Sequence, residues 1–185
     1  MVSWFPNYVS ISCFPIFLIH LGSAKSVDQI GFNVVLVEPE IPPNTGNVGR
    51  LCLATKSTLH LVKPLGFSLE DRQLKRAGLD YWEDVDVKIW DSLDALIKAK
   101  QSNERCFFMT TKTERAYWAV QFRPGDFLVF GRETKGLPQT LLAANEEQCI
   151  TIPMAGTRSL NLATAVGIVL YEAIRQQQSG ENGVE

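Results

Sequence analysis

The sequence has 185 residues, of which 45% are hydrophobic and 21% are charged, so it is long enough for one ordinary domain and too apolar for a disordered chain. The formal net charge of −2 excludes a uniformly basic surface, and any contact with phosphate groups must therefore come from a local patch. The four cysteines and two histidines lack the spacing of metal ligands, so we expect reduced thiols and no bound metal.

Residues 1–30 differ from the rest of the chain. Their apolar run, 9–21, is interrupted by Pro15 and is too short to span a bilayer. No lysine or arginine precedes Lys25, whereas export signals begin with basic residues. We interpret this segment as an extension outside the fold, with an export or organelle signal as the alternative. We expect a cytoplasmic protein without membrane contact.

From residue 33 onward, short apolar runs alternate with segments of helical periodicity. The apolar runs predict six strands, at 33–38, 59–62, 85–90, 105–110, 127–130 and 149–152. The periodic segments predict five helices, at 45–57, 69–77, 93–100, 137–144 and 160–177. Such alternation is typical of an α/β fold, a mostly parallel sheet with helices on both faces. We predict one domain over residues 31–178 and a flexible tail at 179–185.

The last predicted helix is apolar on almost every side, and it contains no charged residue before Glu172. A helix of this kind must be covered on all its faces. We expect a second copy of the chain to supply part of that cover, which would make the protein a homodimer through this helix. The alternative is a central helix buried by its own sheet.

Three loops rich in glycine and polar residues follow predicted strands, where ligands bind in parallel α/β folds. They are loop 1 (38–50), loop 2 (130–138) and loop 3 (152–165). In loop 1, Asn44 can cap the following helix and Arg50 lies farther along it, but the glycines lack the spacing of a dinucleotide fingerprint. In loop 3, Ser159 and Asn161 stand where the last helix begins. Each loop alone is also compatible with an ordinary structural turn.

Together, in this order and at these separations, the loops resemble the SPOUT methyltransferases. The resemblance is closest to the branch that 2′-O-methylates the ribose of the wobble nucleotide of tRNA. It covers residues 33–177 and includes Glu-Pro-Glu-Ile-Pro-Pro-Asn-Thr-Gly-Asn at 38–47, Arg-Ala-Gly-Leu-Asp-Tyr at 76–81, the loop at 131–138 and Ser-Leu-Asn-Leu-Ala at 159–163. It implies S-adenosylmethionine as the cofactor, tRNA as the partner, and a trefoil knot in the C-terminal part of the fold.

The resemblance also implies which residues form the site. The positions treated as catalytic in the family match Arg50, Glu133, Ser159 and Asn161. The positions that contact the cofactor match Met109, Gly131, Ile152, Ser159 and Leu160. Two features depart from the family pattern: Arg132 places a positive charge beside Glu133, and the loop at 154–158 looks one residue shorter, which leaves the alignment of Thr157 open.

Substrate RNA is expected to meet the predicted helix at 69–77 together with loops 1 and 2. The residues proposed for this contact are Asn44, Arg72, Lys75, Arg76 and Arg132. Tyr81 and Trp82 lie close by in the sequence and can stack an unpaired anticodon base. The alternative for the basic residues of this helix is an ordinary solvated face.

Methyl transfer to a ribose hydroxyl requires alignment and a route for the proton. The loops contain no histidine, and a guanidinium stays protonated in proteins, so Arg50 is not expected to act as a base. We expect it to hold the adjacent phosphate and to stabilise a developing alkoxide, while the proton leaves late, to phosphate or water. The alternatives are methylation of another tRNA or rRNA site, and a non-catalytic RNA-binding module. A Rossmann dehydrogenase is disfavoured because no GxGxxG follows the first strand.

Overall fold

In the computed structural model, which describes residues 31–68 and 82–179, six short strands form one sheet. They are β1 (Asn33–Val37), β2 (Thr58–Val62), β3 (Val87–Trp90), β4 (Cys106–Met109), β5 (Phe127–Phe130) and β6 (Cys149–Ile150). Their order is β3-β2-β1-β5-β4-β6, and each strand is parallel to its neighbours. The predicted parallel sheet is therefore confirmed.

Four α-helices and three 3-10 turns connect the described strands. The helices are α1 (Pro42–Ala54), α2 (Leu93–Ala99), α3 (Gln139–Ala144) and α4 (Leu162–Ser179). The 3-10 turns are Trp82–Asp84, Tyr117–Ala119 and Glu146–Gln148. Within these described ranges, no helix has the length and hydrophobicity needed to cross a membrane. The predicted helix at 69–77 and the proposed extension at 1–30 lie outside the described residues.

The side chains of β1 alternate between two hydrophobic cores. Val34 and Leu36 lie in a core shared with α1 and α4, whereas Val35 and Val37 lie in a core shared with α2 and α3. This alternation follows from the two-residue period of a strand. Helices therefore cover both faces of the sheet, as predicted.

α1 begins three residues earlier than predicted, at Pro42 instead of Thr45. Pro42 and Pro43 have no backbone N–H, but the first turn of a helix has no internal acceptor for that group, and proline already has a helical φ. Assigning both prolines to the loop was therefore wrong. The early start places Asn44 in the first turn, where its side chain is buried.

β3 and β6 are shorter than predicted. The predicted strand at 85–90 begins only at Val87, because the chain leaves a 3-10 turn at Asp84 and passes through Val85 and Asp86 before it pairs with β2. β6 ends at Ile150, and Thr151 forms an isolated parallel bridge with Ala116. Beyond this bridge the chain enters loop 3.

α4 is covered on one side by its own chain. Val166, Val169, Leu170 and Ala173 are fully buried in the core that α4 shares with the sheet and α1. The opposite side is open, and Tyr171 is 51% exposed. The sheet thus covers one side of this helix. The other side, which the chain itself does not cover, is formed by Thr164, Ile168, Tyr171 and Arg175.

Cys52, Cys106 and Cys149 are buried and form no disulfide. Burial raises the pKa of Cys52 to about 12 and the pKa of Cys106 to about 11, so both thiols are protonated at neutral pH. In the described ranges, no cluster of three or more His, Cys, Asp or Glu side chains is arranged to hold a metal ion.

His60 is buried in β2 and makes two hydrogen bonds across the sheet. The indole N–H of Trp90 donates to Nδ1 across 3.0 Å, and Nε2 lies 3.0 Å from Oδ1 of Asn33. A neutral ring that donates through Nε2 satisfies both contacts. Burial, with a smaller contribution from Lys88 that Asp86 opposes, lowers the pKa of His60 to about 4. The histidine therefore supports the sheet as a neutral residue.

Candidate functional site

A cavity of about 650 Å³ opens at the carboxyl edge of the sheet. Loops 1, 2 and 3 form much of its wall, together with the segment 109–112 that ends β4 and follows it. These segments meet because β1, β5, β4 and β6 are neighbours in the sheet. The volume is within the range of pockets that bind small molecules.

Most of the site residues predicted from the sequence line this cavity. All five predicted cofactor contacts belong to its wall: Met109, Gly131, Ile152, Ser159 and Leu160. Four further predicted site residues also belong to it: Asn44, Arg132, Glu133 and Asn161. Arg50 lies outside the wall. The remaining three, Arg72, Lys75 and Arg76, lie outside the described residues, so their assignment to RNA stays a prediction.

Loop 2 folds back on itself directly after β5. The backbone N–H of Gly136 donates to the carbonyl of Arg132 across 2.8 Å, and Gly136 has a φ of +66°, which side chains disfavour. A Cβ at Gly131 would overlap the peptide that joins Gly136 to Leu137. The turn therefore requires glycine at both ends.

A chain of side-chain hydrogen bonds connects the three loops. Nδ2 of Asn44 donates to Oε1 of Glu133 across 3.1 Å, and Nδ2 of Asn161 donates to Oδ1 of Asn44 across 2.9 Å. Oδ1 of Asn161 accepts from the backbone N–H groups of Ala163 at 2.9 Å and Thr164 at 3.3 Å, which caps α4. Each amide has donors and acceptors on defined sides, so the chain of bonds fixes both orientations.

Glu133 also holds the N-terminus of α1. Its carboxylate accepts from the backbone N–H groups of Glu40 at 2.9 Å and Ile41 at 3.3 Å. In return, the Glu40 carboxylate accepts from the backbone N–H of Thr134 at 3.0 Å and from its hydroxyl at 2.8 Å. Loops 1 and 2 are therefore joined in both directions. With three N–H donors on its oxygens, Glu133 is arranged to position the loops.

Arg132 forms an ion pair with Glu38 at the start of loop 1. Both side chains are partly buried, and Glu38 has a φ of +52°. The pair compensates the positive charge that the sequence places beside Glu133. If Arg132 contacts RNA, it must share its guanidinium between phosphate and this carboxylate.

Arg50 is exposed on α1, and the residue before it is packed tightly. A Cβ at Gly49 would lie 2.7 Å from the ring of Trp82, so the glycine makes room for this aromatic side chain. Trp82 is thereby packed against α1 and remains partly exposed. This packing limits how much of its ring is accessible for stacking a base.

Part of the cavity wall is apolar. Met109, Ile152 and Leu160 lie there together with Leu162, at the start of α4. The backbone groups of Ile152 and Leu160 form no hydrogen bond to any residue in the described ranges. A planar heterocycle can therefore lie against the apolar side chains while its polar edge bonds to these N–H and C=O groups.

Three cations of the wall were missed from the sequence: Lys112, Lys135 and Arg158. Lys112 follows β4, Lys135 lies in loop 2 and Arg158 lies in loop 3. The sequence singled out these two loops by their glycines and polar residues, but charged residues are common in loops of any kind. Only the neighbouring positions of β5, β4 and β6 in the sheet bring the three together.

The fold and the site define an α/β domain with a parallel sheet and a small-molecule cavity at the carboxyl ends of its central strands. The model of the SpoU rRNA Methylase family matches residues 31–171. The chain belongs to this SpoU methylase family.

Individual relatives are similar over most of the chain. The tRNA (cytidine(34)-2'-O)-methyltransferase of Escherichia coli (strain K12) is 49% identical over 146 residues, which cover 78% of this chain and 92% of that protein. A solved structure that concerns 2-OH methylation of C/U34 on tRNA is 45% identical, with a TM-score of 0.79, and covers 82% of this chain and 99% of that one. An AdoMet-bound rRNA methyltransferase from Sinorhizobium meliloti is 25% identical, with a TM-score of 0.67 and coverage of 78% and 56%.

Proposed function

We propose that the protein transfers a methyl group from S-adenosylmethionine to the ribose 2′-hydroxyl of nucleotide 34, the wobble position of the tRNA anticodon. The target base is cytidine or a modified uridine. Family membership and the names of the relatives support this activity. The main structural support for this activity is that residues from separate sequence motifs, including Gly131, Ile152 and Ser159, line a single cavity.

The cavity residues fit S-adenosylmethionine. Met109, Ile152 and Leu160 can cover the adenine ring, and the unbonded backbone groups of Ile152 and Leu160 can bond to its edge. When bound, this cofactor supplies a methyl group on a sulfonium and leaves as a neutral thioether. The AdoMet-bound relative supports the same assignment.

The contribution of the chain itself is alignment. The hydrogen bonds that Asn161 donates to Asn44 and that Asn44 donates to Glu133 hold loops 1, 2 and 3 at a fixed separation. Holding two reactants in line contributes up to about 7–11 kcal/mol in the best intramolecular cases. We assign Glu133, Asn44 and Asn161 to positioning. Ser159, whose side chain is exposed on the wall, is assigned to contact with the ribose.

The proton of the ribose hydroxyl must leave without help from histidine, since no histidine is among the lining residues that the structure describes. The oxygens of Glu133 already accept three N–H donors. We propose that the proton departs late, to water or to a phosphate oxygen. Arg50, on the outer side of α1, would bind the RNA backbone and hold the substrate in place.

We propose that the protein acts as a homodimer through α4. The exposed face around Tyr171 and Ile168 supports this arrangement, because a half-exposed aromatic side chain on an apolar helix favours a protein interface. Tyr171→Glu should shift the chain to a monomer in sedimentation equilibrium. Gln178→Glu, which changes an exposed residue near the end of the same helix, is the matched control.

We also propose that the C-terminal part of the chain is threaded as a trefoil knot. Two observations support it: β6 lies at the edge of the sheet beside β4, and the chain then returns to pack α4 against α1. Pulling on residues 31 and 179 in an optical trap tests the threading. A knotted chain stays shorter than a fully extended one after unfolding, whereas an unknotted chain reaches full length.

We propose that the protein acts in the cytoplasm, and the proposed substrate, tRNA, supports this location. Fluorescence microscopy of the tagged full chain tests this location. Accumulation at a membrane or outside the cell would contradict it.

The activity is tested by incubating the full chain with labelled S-adenosylmethionine and total tRNA, and then mapping the methylated ribose. We expect label at the 2′-oxygen of nucleotide 34. The matched control is a tRNA with a 2′-deoxyribose at that nucleotide, which should accept no label. Label at another site would indicate a different RNA methyltransferase, and RNA binding without transfer would indicate a non-catalytic module.

A further inference from the structure

The loops around the cavity carry three cations that form no ion pair with a carboxylate of residues 31–68 or 82–179. Lys112, Lys135 and Arg158 come from three different loops, and all are exposed at the cavity wall. Nζ of Lys112 donates to the neutral amide of Gln139 across 2.6 Å. Lys135 and Arg158 form no side-chain hydrogen bond or ion pair with any residue in the described ranges.

The charge of the wall is opposite in sign to that of the chain. Among the described residues, the cavity wall carries four cations, Lys112, Arg132, Lys135 and Arg158, and one carboxylate, that of Glu133. Arg132 is paired with Glu38, so the uncompensated charge is that of the other three cations. The whole chain has a formal net charge of −2. A concave site lined mainly by one sign of charge concentrates ligands of the opposite sign.

S-adenosylmethionine cannot supply the missing negative charge. It carries a sulfonium and an ammonium against one carboxylate, so its binding adds positive charge to a cavity that already has an excess. The excess therefore favours a second, anionic ligand. In a substrate whose 2′-hydroxyl enters the cavity, the 3′-phosphodiester is attached to the neighbouring ribose oxygen and must lie close to the cavity mouth.

We propose that Lys135 and Arg158, with Lys112, form a phosphate clamp for the phosphodiesters that flank the target ribose. The guanidinium of Arg158 can bind two phosphate oxygens at once, whereas the lysines act as point charges. The clamp rests on the proposed function, since RNA is its ligand. It adds residues from loops 2 and 3 to an interface that the sequence placed mainly on residues 72–76.

The competing ligand for these cations is the carboxylate of the cofactor. The exposure of Lys135 and Arg158 favours the phosphate, because a large RNA can reach exposed side chains, whereas the apolar wall around Met109 and Ile152 holds the cofactor farther inside. Binding measurements with each ligand separate the two possibilities.

The test measures the binding of an anticodon stem-loop RNA by fluorescence anisotropy over a series of KCl concentrations. The variants are Lys135→Ala, Arg158→Ala and the double variant. Each single variant should lose about tenfold in RNA affinity, the size expected for one charged hydrogen bond. The slope of log affinity against log salt should become shallower by about 0.7 for each phosphate contact removed. Lys98→Ala, an exposed lysine of α2 outside the cavity, is the matched control and should leave both quantities unchanged.

Calorimetry with S-adenosylmethionine supplies the second readout. The affinity of each variant for this cofactor should stay within twofold of the wild-type affinity. Unchanged RNA affinity in the double variant overturns the clamp, and so does a loss of cofactor affinity at constant RNA affinity. Thermal melting should show no change, since both side chains are exposed. The clamp is measured by binding alone, whereas the proposed function is measured by methyl transfer. A wild-type protein that methylates no tRNA would therefore contradict the proposed function separately from the clamp.

Discussion

The side-chain amide of Asn161 donates to Oδ1 of Asn44 across 2.9 Å, which joins residues 117 positions apart in the sequence. Each of the two residues lies at the start of a helix, Asn44 in the first turn of α1 and Asn161 directly before α4. Asn44 also donates to Glu133. A change at one of these amides must therefore alter all three loops of the cavity.

Asn161→Asp should weaken binding of S-adenosylhomocysteine about tenfold, because it replaces the donor to Asn44 with an oxygen that faces Oδ1. Asn44 cannot reverse its amide to compensate, since its oxygen would then face Glu133. The aspartate keeps the oxygen that caps α4. Asn161→Ala also removes this cap and should lower the free energy of unfolding by about 1 kcal/mol more than the aspartate does. Calorimetry and urea unfolding measure the two effects, and wild-type affinity in the aspartate variant would show that the bond does not position the cavity.

Gly131→Ala should abolish detectable cofactor binding, because its Cβ would overlap the peptide joining Gly136 to Leu137 and force loop 2 to move. The overlap should also cost about 1–3 kcal/mol in unfolding free energy. Gly156→Ala is the matched control in loop 3, since its Cβ would meet no atom within 4 Å. Calorimetric titration with S-adenosylhomocysteine separates the two variants. Equal affinities would remove loop 2 from the binding site.

The sequence predicts local structure well where one signal dominates. The strand at Phe127–Phe130 has the predicted bounds. The helix predicted at 93–100 begins at Leu93, where the hydroxyl of Ser92 caps it by accepting from the N–H of Ala95 across 3.1 Å. The start of α1 was misplaced because Pro42 and Pro43 occur both in loops and in first helical turns.

The cavity could be predicted only in part. The resemblance identified Gly131 and Ser159 as cofactor residues, and both line the cavity. The bond from Asn161 to Asn44 was not predicted, because hydrogen-bond partners far apart in the sequence leave no periodic signal. The same holds for Lys112 and Arg158, which the order of the strands brings to one wall.

His60 should make stability depend on pH. Its pKa in the folded chain is about 4, below the ordinary value of 6.5, so the unfolded chain takes up the proton first as the pH falls. The neutral ring contributes up to about 3 kcal/mol to the free energy of unfolding. This contribution is fully present above about pH 6.5 and is lost as the pH falls to about 4. His60→Gln should remove this part of the pH dependence. Urea unfolding at pH 7.5, 5.5 and 4.5 measures it, and parallel curves for the two proteins would contradict the assignment.

Arg50→Lys should lower the rate of methyl transfer at saturating cofactor and leave cofactor affinity unchanged, because lysine cannot bind two phosphate oxygens in the fixed geometry of a guanidinium. Single-turnover assays with tRNA bound in advance measure the rate. Lys56→Arg, a change just after the end of α1, is the control for altered charge geometry on this helix. A full rate in Arg50→Lys would exclude the bidentate phosphate role.

The central claim, that loops 1, 2 and 3 form one cofactor cavity, is tested most directly by a crystal structure of the full chain with S-adenosylhomocysteine. We expect the adenine to lie against Met109, Ile152 and Leu160, with its edge bonded to the backbone of loop 3. A ligand bound at the opposite edge of the sheet, away from Gly131 and Ser159, would contradict the claim.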